Sequence, residues 1–326
     1  MSQRAVPPGP PAARAHVRPA SRGVSGHGVL DAQRQGRASP ERRARPASLG
    51  RADASGRTCS PSSAGGRDGN RSSDALAEVP AAMLVGGLGT RLRTSVPDRP
   101  KAVADVAGRP FLSYALDRLA EAGITRVVLC TGYRGEQIQQ TFGATYATMR
   151  LRYSRESAPL GTAGALRHAL PLLDAEVVLA MNGDALWKLD LEAFWQWHVR
   201  RNASASIVLA RAADTSPTLR AGTAGGYHRY GRVQVDRLGR VQAFEEKSAL
   251  RVGTTGGLGW INAGVYLLSR QVIAQIPAGR AVSIEREVFP RWVGRGLYGY
   301  RSRGRFLDIG TPESYRMAER FVRGAP

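Results

Sequence analysis

Short apolar segments alternate with amphipathic ones from Val79 onward, and this alternation constrains the fold more than any other feature. Strands buried on both faces are continuous apolar runs, whereas helices covering a sheet carry apolar residues every three or four positions. The pattern predicts an α/β fold with a Rossmann-like mixed, mainly parallel sheet flanked by helices and right-handed crossovers. The predicted strands lie at 80–85, 126–131, 149–153, 177–181 and 205–210, and the predicted helices at 111–122, 136–142, 164–172 and 191–201.

The second half of this region has a different pattern. The segments "YGRVQVD", "RVQAFEEK" and "WINAGVYLL" are typical of strands separated by turns, and "SIEREVFPRWV" and "TPESYRMAERF" are typical of helices. The segment "YGYRSRGRFLDIG" lies between the two helices. We expect these elements to extend the sheet and to wall a pocket. Because ligands in open α/β sheets bind at the carboxyl ends of the strands, functional residues are expected in the loops that follow them.

The first 77 residues consist largely of Pro, Gly, Ser, Ala and Arg and contain no aromatic side chain. Such a segment buries too little apolar surface to offset its ordering entropy. We therefore predict a disordered tail at 1–77 and a single domain at 78–326. Two alternatives stay open for the tail: contact with polyanions, or a translation start near Val79 that leaves it unmade.

The chain carries 47 Lys and Arg against 26 Asp and Glu, a formal net charge of +21. This excess is spread along the chain, since residues 1–78 hold 13 arginines and six acidic residues. The basic segments match no nucleic-acid-binding motif and lack regularly interleaved aromatics. Dedicated nucleic-acid binding is therefore not predicted, and an acidic small-molecule substrate explains basic site residues equally well.

The two cysteines, Cys59 and Cys130, are too few for a disulfide framework or a cysteine-based zinc site. No apolar run approaches the roughly 20 residues needed to span a bilayer, and the first 20 residues lack a secretory apolar core. The sequence predicts a soluble protein of the reducing cytoplasm that does not bind a membrane.

The segment "GGLGTRLRTSVPDRPKAV" follows the first predicted strand and contains Gly86, Gly87 and Gly89. Backbone amides in a glycine-rich turn can approach a phosphate closely, although such turns also occur for purely structural reasons. The segment fits neither the Walker pattern nor the dinucleotide fingerprint. Arg91 adds a guanidinium suited to phosphate oxygens, and Lys101, one of only three lysines, returns a compact cation to the same loop.

This segment resembles the signature GGxGTRL and downstream PK of the sugar-1-phosphate nucleotidyltransferases, which make NDP-sugars. The similarity covers most of 79–324 and continues, in the family's order, through "ESAPLGTAGAL", "MNGD", "YGRV", "FEEKS", "INAGVYL" and "FLDIGTPESY". It implies a GT-A-like fold of the nucleotide-diphospho-sugar transferase type.

The resemblance also implies roles for individual residues. It places the triphosphate on Gly86, Gly87, Gly89, Thr90 and Arg91, the base beside Glu156 and Gly161, and the sugar phosphate on Gly231, Glu246, Lys247 and Asn262. Lys101, Arg91, Asp184 and Asp308 are the implied catalytic residues. Asp184 and Asp308 are the implied ligands of a Mg²⁺ cofactor, which typically takes only one or two protein carboxylates.

Each of these residue types also has an ordinary structural interpretation. An Asp after a strand often caps a helix or a turn, an exposed Glu-Lys pair is often only solvated, and Asn262 suits a turn hydrogen bond. Trp195 and Trp197 are expected to pack a helix, and Lys188 is expected to be exposed.

The resemblance implies transfer of a nucleotidyl group from an NTP to a sugar 1-phosphate, with release of pyrophosphate. The wording of the motifs is closest to D-glycero-D-manno-heptose 1-phosphate guanylyltransferases, which makes GTP and that heptose 1-phosphate the expected substrates. Mannose 1-phosphate is the alternative acceptor, and a homo-oligomer is possible.

Two other classes stay open. A GT-A glycosyltransferase normally carries DxD, where this chain has Asp184-Ala185-Leu186. A catalytically silent nucleotide-sugar-binding subunit would usually have lost a metal carboxylate or the loop lysine. The glycine-rich insertion at 215–229 is interpreted either as a lid or as a surface insertion.

Overall fold

Four parallel strands form the centre of the sheet, in the spatial order β7 (Val177–Asn182), β1 (Ala81–Leu84), β4 (Arg126–Thr131) and β6 (Met149–Arg155). The structure is a computed structural model that describes residues 76–92, 95–211, 231–245 and 259–324. Within these ranges the strands of the main sheet are β1 (Ala81–Leu84), β4 (Arg126–Thr131), β5 (Thr145–Tyr146), β6 (Met149–Arg155), β7 (Val177–Asn182), β9 (Ala205–Arg211), β10 (Arg232–Val235), β11 (Val241–Glu245), β12 (Trp260–Ser269) and β13 (Leu297–Arg301).

Two small ladders complete the strands of the described residues: β2 (Asp105–Val106) with β3 (Arg109–Pro110), and β8 (Ala185–Trp187) with β14 (Phe306–Asp308). The helices are α1 (Phe111–Glu121), α2 (Gly135–Phe142), α3 (Gly161–Ala169), α4 (Leu191–Val199), α5 (Arg270–Ala274), α6 (Phe289–Trp292) and α7 (Pro312–Val322). The shorter turns are 3₁₀ at Thr90–Leu92, Lys101–Val103 and Leu170–Leu172, and π-helical at Ile284–Val288.

The sheet is covered on both faces, which explains the continuous apolar runs of its central strands. Met83 of β1 belongs to one buried cluster, to which α1 contributes Leu112 and Leu116. The next residue back, Ala82, belongs to a second cluster, to which α3 contributes Leu166. Successive residues of a strand point to opposite faces, so one strand supplies both cores. The predicted α/β architecture with a mixed sheet and parallel core strands is confirmed.

Most predicted elements lie within two residues of the expected bounds, and larger differences occur in two helices. The helix predicted at 164–172 begins at Gly161 instead, because Ala163 N and Gly164 N donate to Val282 O. An acceptor from a distant segment thus satisfies first-turn amides that have no partner within the helix.

The segment "SIEREVFPRWV" forms a π-turn followed by the short α6, and not one regular helix. Pro290 lacks a backbone donor, and its ring would clash with the carbonyl four residues earlier. At the other end of the domain, Leu76, which lies within the segment predicted as a tail, is 2% exposed and packs in the core.

The parallel strands β1, β4 and β7 end at the same edge of the sheet, in register with one another. Leu84 is paired with Cys130 on one side and with Asn182 on the other. The loops that follow these three residues therefore meet, and they contain most of the predicted site. Among the described residues, no helix is long and apolar enough to cross a bilayer.

Candidate active site

The glycine loop that follows β1 is shaped by close packing at Gly86 and Gly89. A side chain on Gly86 would come within 3.0 Å of both Gly132 N and Glu156 Oε1. Gly89 has φ +62°, and its Cα faces the stem of Lys101, where a Cβ would lie 3.2 Å from Lys101 Cγ. Glycine is needed at both positions, because the loop lies against the strand-end turn on one side and Lys101 on the other.

Lys101, whose side chain lies against Gly89 of this loop, forms an ion pair with Asp184. Lys101 Nζ lies 3.2 Å from Asp184 Oδ2, and the two side chains are 16% and 34% exposed. Lys101 begins the 3₁₀ turn after Pro100, and Asp184 stands in the turn between β7 and β8. Two segments 83 residues apart thus bring their charges together at the carboxyl edge of the sheet.

Asp308 reaches the same place through the small ladder of β8 and β14. It is paired with Ala185, and Ile309 N donates to Asp184 O at 2.9 Å, so Asp184 and Asp308 are neighbours across the ladder. Gly310 N donates to Asp308 Oδ1 at 2.6 Å, which orients that carboxylate.

The two carboxylates suit a divalent cation that is shared with a ligand. In the described part of the chain, no three His, Cys, Asp or Glu side chains cluster as a metal site. Mg²⁺ needs only one or two protein carboxylates when phosphate and water complete its octahedron. Both aspartates line one cavity, which leaves room for such a ligand.

The first of two adjoining cavities has a volume of about 290 Å³ and lies under the glycine loop. Its polar groups come from Lys101, Glu156, Thr162, Asn182 and Asp184, and its apolar lining includes residues of β1, β4 and α3.

Glu156 is one of two carboxylate residues that line this first cavity, the other being Asp184. Its Oε2 accepts a hydrogen bond from Leu160 N at 3.2 Å, and its Oε1 is the atom that faces Gly86 and Gly132. Burial raises the pKa of Glu156, and the Leu160 amide and His168 only partly oppose this shift. The carboxylate is therefore poorly solvated and suited to a partner with N–H donors.

The second cavity has a volume of about 520 Å³ and lies on the other side of Asp184. The two cavities share four lining residues: Gly161, Thr162, Asn182 and Asp184. The remaining polar lining of the second cavity comes from Arg91, Asn262, Ser283, Glu285, Arg286 and Asp308. Two ligands bound side by side would thus meet at Asp184.

The structure brings together most of the residues that the sequence singled out. Gly86, Gly87, Lys101, Glu156, Gly161 and Asp184 line the first cavity, and Arg91, Gly161, Asp184, Gly231, Asn262 and Asp308 line the second. Gly89 and Thr90 are absent from both linings, and Gly89 acts as the packing surface for Lys101. Glu246, Lys247 and the insertion at 215–229 lie outside the described residues.

Two of these residues, Gly161 and Asn262, are held by structural contacts within the protein. Gly161 has φ +69°, and a Cβ there would lie 2.6 Å from Val282 O, so the backbone contact requires glycine whether or not a base lies nearby. Asn262 Oδ1 accepts from Gly264 N and its Nδ2 donates to Tyr266 Oη, both at 2.9 Å. The turn interpretation of Asn262 is therefore realised, in an irregular part of β12 that faces the cavity.

Sequence reasoning assigned no role to Thr162, Asn182 or Glu285. Asn182 and Thr162 lie within motifs that we quoted, so their positions beside Asp184 and Gly161 were the available signal. Glu285 also lies within a quoted segment, "SIEREVFPRWV", but that segment was interpreted only as a helix, and its place at the cavity depends on how the segment 282–285 packs on α3.

Comparisons with known proteins agree with this geometry. Residues 81–324 match the family described as nucleotidyl transferase. The chain belongs to the nucleotidyl transferase family. Its GT-A-like relatives among solved structures include HddC from Yersinia pseudotuberculosis in complex with GMP-PN, which is 28% identical with a TM-score of 0.62. That match covers 75% of this chain and 99% of HddC.

Curated relatives of this nucleotidyl transferase fall into two groups by name. The mannose-1-phosphate guanylyltransferase of Mycobacterium tuberculosis is 36% identical over 76% of this chain. The D-glycero-alpha-D-manno-heptose 1-phosphate guanylyltransferase of Aneurinibacillus thermoaerophilus is 34% identical over 74% of this chain. The matched region spans 64% of the first relative and 96% of the second.

Proposed function

We propose that this nucleotidyl transferase moves a guanylyl group from GTP to a sugar 1-phosphate and releases pyrophosphate. The observation that carries the proposal is the pair of cavities that meet at Asp184, with Lys101 on the nucleotide side. We propose D-glycero-D-manno-heptose 1-phosphate as the acceptor. The heptose 1-phosphate guanylyltransferase supports this choice, because the match spans 96% of that relative. Mannose 1-phosphate is the second candidate, supported by the 36% identical relative.

The reaction requires no covalent intermediate on the protein. An oxygen of the sugar 1-phosphate attacks the α-phosphorus of GTP, a P–O bond forms, and the bond to the β-phosphate oxygen breaks as pyrophosphate leaves. Because a sugar phosphate is already ionised at neutral pH, no general base is required. The protein contributes orientation and charge stabilisation.

The cations of the site have separate positions and therefore separate roles. Lys101, held against Gly89 and Asp184, stabilises the charge that develops on the transferred phosphoryl group. Arg91, in the 3₁₀ turn after the glycine loop, lines the larger cavity and is proposed to bind phosphate oxygens. Lys247 and Glu246 keep their proposed roles at the sugar phosphate.

Asp184 and Asp308 would hold a Mg²⁺ ion. When bound, that ion neutralises negative charge on phosphate oxygens. Lys101 Nζ donates a hydrogen bond to Oδ2 of Asp184. This lysine therefore lies beside the proposed metal position and orients the carboxylate of Asp184.

Glu156 supports GTP over other nucleotides. Guanine presents two adjacent N–H donors, on N1 and on its exocyclic amine, which the two oxygens of an ionised carboxylate can accept. Uracil and thymine present one N–H between two carbonyl oxygens, which a carboxylate repels. A half-buried carboxylate in the nucleotide cavity would therefore select guanine both by attraction and by repulsion.

Replacing Glu156 by Gln is expected to lower kcat/KM for GTP by about tenfold to a hundredfold, the usual range for one hydrogen bond to a charged group. The uncharged amide still accepts from Leu160 N, and it can now pair with uracil, so the ratio of UTP to GTP turnover should rise. Pyrophosphate release with both nucleotides measures the ratio. Glu121→Gln, an exposed change on α1, is the matched control. An unchanged UTP to GTP ratio in Glu156→Gln would show that Glu156 does not recognise the base.

The increase in KM for GTP at acidic pH, the acid limb of the pH profile, is expected to depend on Glu156. Its carboxylate must be ionised to accept both guanine donors, and burial raises its pKa above the usual 4.5. As pH falls from neutral toward the acidic range, KM for GTP should therefore increase at a higher pH than an ordinary glutamate would cause. In Glu156→Gln this limb should disappear, which a KM-against-pH series at fixed acceptor concentration would reveal.

Pyrophosphate release with GTP, UTP, dTTP, CTP or ATP and each sugar 1-phosphate tests the proposed function. The expected result is turnover with GTP and a manno-configured sugar 1-phosphate. A protein that shows thermal stabilisation by GTP but releases no pyrophosphate with any pair would instead be a binding subunit.

We also propose a cellular location, a role for the N-terminal segment and an assembly state for the enzyme. We place it in the cytoplasm, where GTP and sugar phosphates are available and where the buried thiol of Cys130 stays reduced. We propose that the segment predicted at 1–77 is a tail whose last residues pack on the catalytic domain, and that the protein assembles as a homo-oligomer.

A further inference from the structure

We infer that Glu285, on the π-turn Ile284–Val288, is a specificity-determining residue whose carboxylate binds hydroxyl groups of the acceptor sugar. This inference rests on the proposed function and deepens it, because it concerns the larger of the two cavities. Glu285 lines that cavity and is not among the residues lining the nucleotide cavity.

Two hydroxyl groups on the cavity wall hold the Glu285 carboxylate in place. Thr162 Oγ1 donates to Glu285 Oε2 at 3.0 Å, and Ser283 Oγ donates to the same oxygen at 2.8 Å. Thr162 is itself fixed, because its Oγ1 accepts from Ile284 N at 2.8 Å. All three side chains belong to residues that line the cavity, so an oriented carboxylate lies at its wall.

Glu285 faces the cavity and Glu287 does not, because side chains two positions apart lie on different sides of a helical turn. A π-turn widens the local helix and shifts the direction of its side chains, and such turns are frequent at functional sites. Glu287 instead pairs with Arg280 and accepts from Ser283 N, beside a separate surface pocket. Two glutamates of one turn thus have different surroundings.

Three of the four other carboxylate and amide side chains that line the larger cavity have hydrogen-bond partners of their own. Asp184 pairs with Lys101, Asp308 accepts from Gly310 N, and Asn262 is bound within β12. A sugar ring presents several hydroxyl donors, and an ionised carboxylate, which only accepts, is a strong partner for them. Among the described residues of this wall, Glu285 is the acidic side chain away from the proposed metal position.

The test is Glu285→Gln in the full-length chain, assayed with GTP and mannose 1-phosphate. The amide oxygen can still accept from Thr162 and Ser283, so the turn should fold and the melting temperature should stay close to that of the wild type. We expect KM for the sugar phosphate to increase by about tenfold to a hundredfold, the range for a lost charge-assisted hydrogen bond, while KM for GTP stays unchanged.

Mannose 1-phosphates that each lack one hydroxyl identify the contact. With the analogue that lacks the bound hydroxyl, wild type and Glu285→Gln should have equal KM values, whereas the other analogues should keep the difference. Glu287→Gln, the same chemical change two residues along, is the control and should keep wild-type KM values.

The outcomes separate this inference from the proposed function. An active wild type with an unchanged sugar-phosphate KM in Glu285→Gln would overturn the inference alone. If Glu285→Gln raised KM equally for every analogue, the effect would be general, and the inference would be overturned. If it raised KM for GTP instead, Glu285 would act on the nucleotide side, which would also overturn the inference. A wild type that releases no pyrophosphate with any sugar phosphate would refute the proposed function itself.

Discussion

Asp184→Asn is expected to lower kcat/KM for pyrophosphate release by about a hundredfold to a thousandfold, equivalent to about 2.7 to 4 kcal/mol of lost transition-state stabilisation. Asparagine has the same shape as aspartate but no charge, so it can neither hold a divalent cation well nor pair with Lys101. Asp308→Asn is expected to have a similar effect, because the ladder of β8 and β14 places both carboxylates on one cavity.

The double variant distinguishes a shared role from two separate ones. If Asp184 and Asp308 hold one cation, the second substitution adds little to the first, since groups that act as a unit are strongly non-additive. Titration with Mg²⁺ should show a higher metal requirement in either single variant. Asp174→Asn, at an exposed position after the 3₁₀ turn Leu170–Leu172, is the control. Near-normal turnover of Asp184→Asn or Asp308→Asn with Mg²⁺ would remove the metal assignment.

The sequence predicted the sheet well because burial on two faces leaves a simple pattern. β4 has the predicted bounds, 126–131, and α1, predicted at 111–122, buries its apolar residues in the same cluster as Met83 of β1. Boundaries failed where a distant segment supplies a backbone partner. The first turn of α3 depends on Val282 O, which lies more than a hundred positions away and leaves no local signal.

The site was predicted in part for a similar reason. Asp184 and Lys101 follow strand ends or loops whose positions the α/β pattern fixes, so their meeting could be expected. Glu285 could not be placed, because its orientation needs both the π-turn and the hydroxyl of Thr162. For Asn262 the sequence suggested both a sugar contact and a turn hydrogen bond. Its hydrogen-bond partners, Gly264 and Tyr266, could not be predicted, because they depend on the irregular backbone of β12.

Lys101→Met is expected to lower kcat by about a hundredfold to a thousandfold, the range for loss of one preorganised charge from a transition state. KM for GTP should change less, because Glu156 and the loop amides of the nucleotide cavity remain. Lys101→Arg should recover only part of the rate. Its planar fork differs from a compact ammonium, and Gly89 already lies against the lysine stem. Lys188→Met, at an exposed position, should keep wild-type activity.

Chemical labelling gives a readout of Lys101 that does not depend on turnover. The chain has only three lysines, so mass spectrometry after treatment with an amine-reactive reagent can follow each one. GTP with Mg²⁺ should protect Lys101 and leave Lys188 as reactive as before. Equal labelling of Lys101 with and without nucleotide would place this lysine outside the nucleotide site.

The stability of these variants decides whether the ion pair of Lys101 and Asp184 serves the fold or the reaction. At 16% and 34% exposure the pair is partly solvated, and such pairs contribute about 1 kcal/mol or less to stability. Lys101→Met should therefore unfold at nearly the wild-type denaturant concentration while losing most of its activity. A large loss of stability would mean that the pair holds the loop to the sheet. Unchanged stability with lost turnover would mean that the two charges are held ready for the phosphates.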